Sequence, residues 1–338
     1  GCPVALSGKY RTIDHYGRMT VRDIDFSALT YKSLDGAVAM AITADAAKPC
    51  EFVASGTQGS DEVRFDFAMG SAGIALYRSQ NLTSGRTSVG YLFPVQSHAK
   101  ASLAGQWTML QSGYASEDDG FVHWIDKMTI KSDDKIDMCE IDYRGNPGVC
   151  EPDTEADLSL AVRGDGGFDV NEGGEAVANM YGYRSPNGAL NVFGTTNAEG
   201  LNTPQVEQTH FILTKHQELA VPAVGTVSKY FDVQLNRPIG AGTVNETTAP
   251  TPDSNTITSV SGNTVTRTRA SDSRVDTVHY NDPMPGVRRR EAGTGPDGKP
   301  FAEVLQVSVP GAGLTVVINA VPSSPSRSHI YAPSVQRN

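Results

Sequence analysis

No stretch of this chain approaches the roughly 18 consecutive apolar residues that a membrane-spanning helix needs, so membrane contact is expected only through a lipid anchor. Signatures of chemistry are missing as well. The seven histidines include no His-Glu-x-x-His and no pair at helical metal-ligand spacing, and the four cysteines no Cys-x-x-Cys, so zinc catalysis has no footing. Gly70-Ser71-Ala72-Gly73 is too short for a nucleophile elbow and precedes a strand where that motif needs a helix. A phosphate-cradling glycine loop ending in Lys-Ser or Lys-Thr is absent. Adjacent acids such as Asp118-Asp119 and Asp133-Asp134 sit in polar loops, where carboxylates are normally solvated. No catalytic residue, metal ligand or cofactor site is nominated, and the chain reads as a protein that is not an enzyme.

Positive charge is also scarce, with 28 Lys and Arg against 38 Asp and Glu for a net −10. It is uneven: residues 219–338 hold 11 basic against 9 acidic side chains, and residues 1–218 hold 17 against 29. A surface that tracks phosphates is excluded over most of the molecule, and nucleic acid is not an expected partner. Arg288-Arg289-Arg290 is the only compact basic run. Its plain reading is a solvated hairpin tip; its sharper reading is an anion site.

What is abundant points to β structure. Gly 34 and Pro 19, with many Thr, Ser and Val, favour strands and tight turns over long helices. Val63-Arg64-Phe65-Asp66-Phe67 alternates apolar with charged, as a half-buried antiparallel strand does. Self-similarity divides the 338 residues into three units, 1–100, 101–218 and a diverged 219–338, near the usual domain size of roughly 100 residues. Leu6-Ser7-Gly8-Lys9-Tyr10 is answered by Leu103-Ala104-Gly105-Gln106-Trp107, and Met19-Thr20-Val21 by Met128-Thr129-Ile130. His210-Phe211-Ile212-Leu213 is answered by His329-Ile330-Tyr331-Ala332 in the closing strand, and His98 and His216 fall at the corners that follow. Ser132-Asp133-Asp134 is echoed by Ser271-Asp272-Ser273, and Gly148-Val149-Cys150-Glu151 more faintly by Lys48-Pro49-Cys50-Glu51. The alternating Leu305, Val307 and Val309 run through a Pro310-Gly311-Ala312-Gly313 turn into Leu314 to Ile318.

The expected fold is all-β: three tandem antiparallel units of about eight strands, closed as small up-and-down barrels to remove exposed edges, with β-sandwiches as the alternative. Phe65, Phe67, Tyr181 and Tyr183 are the bulky side chains expected to fill the interiors. The Leu-x-Gly-x-aromatic openings at Leu6–Tyr10 and Leu103–Trp107 resemble those of calycin barrels, the lipocalin and avidin group. The resemblance implies that Tyr10 and Trp107 each plug one end of a barrel. The third unit departs from it, because Gly225 and Tyr230 lie too far apart.

Cys139 and Cys150 flank the turn-rich Gly145-Asn146-Pro147-Gly148, so a hairpin there brings them within disulfide reach. Cys2 and Cys50 are left to pair with each other, unless Cys2 carries a lipid; Gly1-Cys2 resembles the end of a bacterial lipoprotein signal. Asp165, Asp169 and Asn171 in a glycine-rich loop offer oxygen ligands, though at no standard calcium spacing, and Arg163-Gly164-Asp165 spells an adhesion tripeptide. Each has an ordinary hairpin as its plain reading. His98, His210, His216 and His329 read as structural, repeats of a partly exposed position. The functional expectation is an exported, non-enzymatic bacterial lipoprotein at the periplasm or cell surface that binds a macromolecular partner. A carrier of a small apolar ligand within its barrels is the alternative; an enzyme with a site between units is a third reading.

Overall fold

The computed structural model describes residues 1–115, 120–141, 150–152, 157–202, 207–238, 245–319 and 328–338. It is all-β, with one 3₁₀ turn at Lys100–Leu103. Three eight-stranded antiparallel barrels follow one another along the chain, and every neighbour in each ring is next in sequence apart from short excursions. The barrel topology holds and the sandwich does not, because first and last strands pair in each unit. Gly8–Asp14 pairs with Thr87–Pro94, Gly105–Ala115 with Glu207–Lys215, and Val227–Asp232 with Ser328–Gln336. In the second unit Cys150–Pro152 hangs on the strand Lys135–Ile141. In the third, Leu235–Pro238 and Glu246–Thr247 extend the sheet beyond the last strand.

Side chains alternate between the two faces of a strand, and in this molecule both faces are buried. Inside the first barrel Phe65, Phe67, Tyr77 and Leu92 pack with Tyr10, and inside the second Met109, Phe168, Val192 and Phe211 pack with Trp107. The two aromatic plugs are held alike. Tyr10 Oη donates to Leu6 O at 2.7 Å, and Trp107 Nε1 to Leu103 O at 2.9 Å. Outer faces from all three barrels meet in one shared core: Tyr91 and Phe93 from the first, Phe193 and Ile212 from the second, Val307 and Ile318 from the third. Tyr181 and Tyr183, expected inside a barrel, belong to this outer core instead. The Tyr183 hydroxyl donates to Ala72 O in the first barrel at 2.7 Å, and the Arg11 guanidinium lies 3.5 Å over the Tyr181 ring.

The echo of Ser132-Asp133-Asp134 in Ser271-Asp272-Ser273 is a likeness of turn chemistry and not of place. The first turn joins strands two and three of its barrel, the second strands three and four. In both, the aspartate accepts a backbone N–H two residues on, Lys135 N to Asp133 and Arg274 N to Asp272, each at 3.1 Å. The third turn residue takes positive φ, 70° at Asp134 and 59° at Ser273. Asp and Ser recur because they close such turns through their own backbone. The fainter echo at Gly148-Val149 lies outside the described residues.

Histidines meet where the barrels do. His15 comes from the first hairpin of barrel one, His123 and His210 from barrel two, and His329 from barrel three. His15, His210 and His329 are fully buried, so His210 and His329 are not the partly exposed positions expected. His329 Nε2 lies 3.2 Å from His15 Nε2, which lies 3.0 Å from Ser112 Oγ, and that hydroxyl pairs with His123 Nδ1 at 2.8 Å. His210 Nδ1 donates to the His15 carbonyl at 3.0 Å. Closing-strand positions 210 and 329 correspond, and both point away from their own barrels, so docking brings them together. Burial, followed by mutual repulsion at His15 and His329, holds these imidazoles neutral. His210 is pushed down to about 4 and His123 to about 3, with a hydrogen bond from the His123 ring to Asn319 offsetting part of the shift at His123.

Beside them Gly17 turns the first hairpin at φ 76°, and its carbonyl accepts from Thr195 Oγ1 of the second barrel at 2.6 Å. A Cβ there would overlap Thr209 O and Thr195 Oγ1. Gly17→Ala is expected to lower unfolding free energy by about 2 kcal/mol or more, from strain at positive φ plus the clash; a urea midpoint equal to that of the parent refutes the close approach.

Acid is expected to destabilise the folded chain. An unfolded histidine takes a proton near pH 6.5, whereas these take one only at much lower pH. Their contribution is therefore full above about pH 6.5 and is lost as pH falls toward the folded values. At about pH 5 the loss is about 2 kcal/mol for each of the three fully buried histidines. Asp14 and Asp232, whose carboxyls burial raises, act in the opposite direction but are fewer. Urea midpoints measured near pH 7.5 and near pH 5 check this, and equal midpoints contradict it.

Candidate functional site

The three interiors are filled differently. The second barrel is packed with apolar side chains along its length. The first is apolar at its plugged end, and toward the other end a cavity of about 330 Å³ opens among Thr12, Arg22, Tyr31, Tyr77 and Ser79. The third holds a chamber of about 540 Å³ to which all eight strands contribute. Among the described residues, a small buried apolar group, Ile257, Val265, Val278 and Tyr280, packs within this barrel.

Strand alternation explains the chamber. Leu305, Val307 and Val309 face the shared core, so Gln306 and Ser308 between them face inward; Leu314, Val316 and Ile318 do the same for Thr315 and Val317. Val287 faces the core while Arg288 and Arg290 line the chamber. Arg288 stands opposite Tyr280 on one side and Gln306 on the other. The alternation legible in the sequence was correct, but the face it buries is the outside of the barrel. The run Arg288-Arg289-Arg290 is accordingly no hairpin tip. It is a strand, Val287–Arg290, whose middle arginine faces out and pairs with Asp282 at 2.9 Å and Glu303 at 3.2 Å.

Five arginines line the chamber, and aspartates answer three of them. Asp276 takes Arg274 at 2.7 Å and Arg267 at 3.3 Å, and Asp272 takes Arg269 at 2.6 Å. Burial raises the Asp276 carboxyl, yet Arg274 and Arg267 hold it below its ordinary range; Arg269 holds Asp272 well down. Asp232 lies on the same wall, its carboxyl pushed up to about 6 by burial and then by Asp253. Arg288 and Arg290 have no carboxylate within salt-bridge distance among the described residues. Arg290 donates to Ala302 O at 2.7 Å, and Arg288 to Thr315 Oγ1 at 3.3 Å. Burial, and then Arg274 nearby, pushes Arg290 down to about 9. Such a lining is unsuited to the small apolar ligand expected as the alternative, which would strip water from cations and return nothing.

Cys2 and Cys50 are disulfide-bonded, with Cα atoms 4.8 Å apart, and pack with Val4, Ala5 and Phe26 against the core of the first barrel. A thioether-linked lipid on Cys2 and this bond require the same sulfur. Cys139 is also disulfide-bonded, and its strand pairs Ile141 with Cys150, whose side chain lies outside the described residues. Asp165 and Asp169 are taken up by Arg163, at 3.3 and 2.8 Å, and the Tyr181 hydroxyl donates to Asp165 at 2.6 Å. The same guanidinium ties up the Arg163-Gly164-Asp165 tripeptide. No group of three or more His, Cys, Asp or Glu among the described residues is arranged to hold a metal ion, the histidine junction included. Among the described residues no helix is long and apolar enough to cross a membrane.

No protein-family model matches the chain, and no curated protein matches it. Among solved structures it is similar to Transferrin Binding Protein B from Haemophilus parasuis, at 9% identity and TM-score 0.30, over 94% of this chain and 65% of that one. It is similar to isotype 1 of the same protein from serogroup B Neisseria meningitidis, at 9% identity and TM-score 0.29, over 95% of this chain and 66% of that one. A Nostoc punctiforme protein with unknown function is similar at 10% identity and TM-score 0.22, over 70% of this chain and 96% of that one. The chain thus spans about two thirds of the length of the Haemophilus and Neisseria proteins.

Proposed function

We propose that this chain is an exported, non-enzymatic binding protein of the bacterial periplasm or cell surface, and that its third barrel is the compartment that takes up a small molecule. The observation that carries the reading is the chamber of about 540 Å³, walled by all eight strands. That volume lies within the roughly 300–1,000 Å³ usual for small-molecule sites. The neighbouring interiors differ from it, one packed and one partly so, although all three barrels share a topology.

Export is supported by the Cys2–Cys50 bond and the bonded state of Cys139, since disulfides persist in oxidising compartments. With the Cys2 sulfur held by Cys50, export without a thioether at Cys2 is the favoured form. A chamber enclosed by strands suits a small molecule better than the macromolecular surface partner that the sequence also suggested.

Native mass spectrometry of protein purified from its own host tests both halves. The expected spectrum exceeds the chain mass by one small molecule, lost on denaturation, and peptide mapping of the exported fraction recovers Cys2 linked to Cys50. A bare chain with four free thiols in the cytosol overturns the reading, and a diacylglyceryl group on Cys2 restores the anchored form in place of the disulfide.

A further inference from the structure

Buried charges in proteins are paired, coordinated or hydrogen-bonded, because the cost of desolvating them otherwise goes unmet. In the third barrel two arginines meet this requirement only in part, with no carboxylate and one neutral hydrogen bond each, Arg290 to Ala302 O and Arg288 to Thr315 Oγ1. Arg288 and Arg290, two residues apart on one strand, project into the same chamber. Arg290 is only 8% exposed. The Nε atoms of both have no hydrogen-bond partner. Gln306, 4% exposed and directly across from Arg288 on the next strand, has its Oε1 without a partner as well. Arg267, on the strand next beyond that of Tyr280, repels Arg288, although Asp276 answers it. Two tyrosines add aromatic surface to the lining. The Arg288 guanidinium lies 5.5 Å from the Tyr280 ring centroid, and Tyr230 lines the chamber too.

We infer that the chamber binds a small molecule carrying an oxyanion, a carboxylate or a phosphate, seated between Arg288 and Arg290 with its remaining body against Tyr280 and Tyr230. The inference rests on the binding role proposed for the third barrel and names the ligand class. A planar carboxylate or a phosphate offers acceptors for the free guanidinium N–H groups, and guanidinium recognises both through paired, charge-assisted hydrogen bonds. A neutral ligand leaves the buried Arg290 and the half-buried Arg288 without a counter-charge. Asp232 and Asp253 occupy a separate part of the wall, beside Arg269, and orient an anion away from themselves.

The test uses the full chain and two matched pairs of probes, benzoate with benzamide and phenyl phosphate with phenol, followed by calorimetry and thermal shift. The anionic member of at least one pair is expected to bind and raise the melting temperature, and its neutral partner is not. Arg288→Gln and Arg290→Gln are each expected to weaken that binding by about 10- to 100-fold, the worth of a charge-assisted hydrogen bond. Arg289→Gln, on the outer face, is expected to leave it unchanged. A far-ultraviolet circular dichroism spectrum and a cooperative melt like those of the parent show that each inner variant folds, so lost binding is not lost folding. Neutral probes binding as well as anions, or anions bound equally by the inner variants, overturn the inference while leaving a binding barrel in place. Failure of all four probes, with no small molecule carried from the host, overturns the binding role and this inference with it.

Discussion

The architecture depends on burying both faces of its strands. A lone barrel has an apolar inside and a polar outside, and each strand needs only one oily set of alternate residues. Here the outer faces of three barrels close on a common core that among the described residues holds twenty-seven buried side chains, against sixteen, twelve and four in the interiors. The third barrel gives fourteen of those side chains to the shared core and keeps four inside, so most of its own apolar burial, and hence of its hydrophobic driving force, lies against the other units. A barrel that gains its stability from its outer face is released from the need to fill its inside.

The third barrel uses that freedom. Its strands give the core Val287, Leu305, Val307, Leu314 and Val316, and give the interior arginine, glutamine, serine and threonine. Side-chain volume alone does not hold such an interior open; charge does, since guanidinium groups that cannot pair with one another keep their distance and keep water or a counter-anion among them. At the junction the opposite solution holds. Four imidazoles from three barrels lie within contact of one another and stay neutral, because no water reaches the three fully buried ones to share a proton's charge.

Much of this was legible in the sequence. The all-β class, the eight-strand closure, the closing strands at Thr209–Leu213 and His329–Ala332, and the plugs Tyr10 and Trp107 follow from alternation, turn residues and short motifs, which are local. What was not legible is which side of a closed sheet each alternate set faces. Alternation has period two in either case, so Tyr181 and Tyr183 read as barrel filling and Arg288 to Arg290 as a solvated tip. The signal available was the flank: Val287 before the arginines and Leu305 to Val309 after them mark buried strands, and a basic run between buried strands is not a tip. The histidines escaped for another reason. Their meeting depends on how three units dock, over separations of up to 314 residues, and no local pattern encodes it.

The basic run also fixes how the third barrel is threaded. Arg289, alone of the three, faces outward, where Asp282 and Glu303 receive it at the edge of the shared core. Slipping the strand by one residue would move Arg288 and Arg290 outward, with only one such acidic pair to meet them, and would turn Val287 into the chamber beside Tyr280. Both changes are costly, since one buries cations against Leu305 and Val307 and the other replaces a guanidinium by an isopropyl group among polar neighbours. Three consecutive arginines, which in an exposed loop would specify nothing, here hold the register that keeps the dry core and the charged chamber on opposite sides of a single sheet.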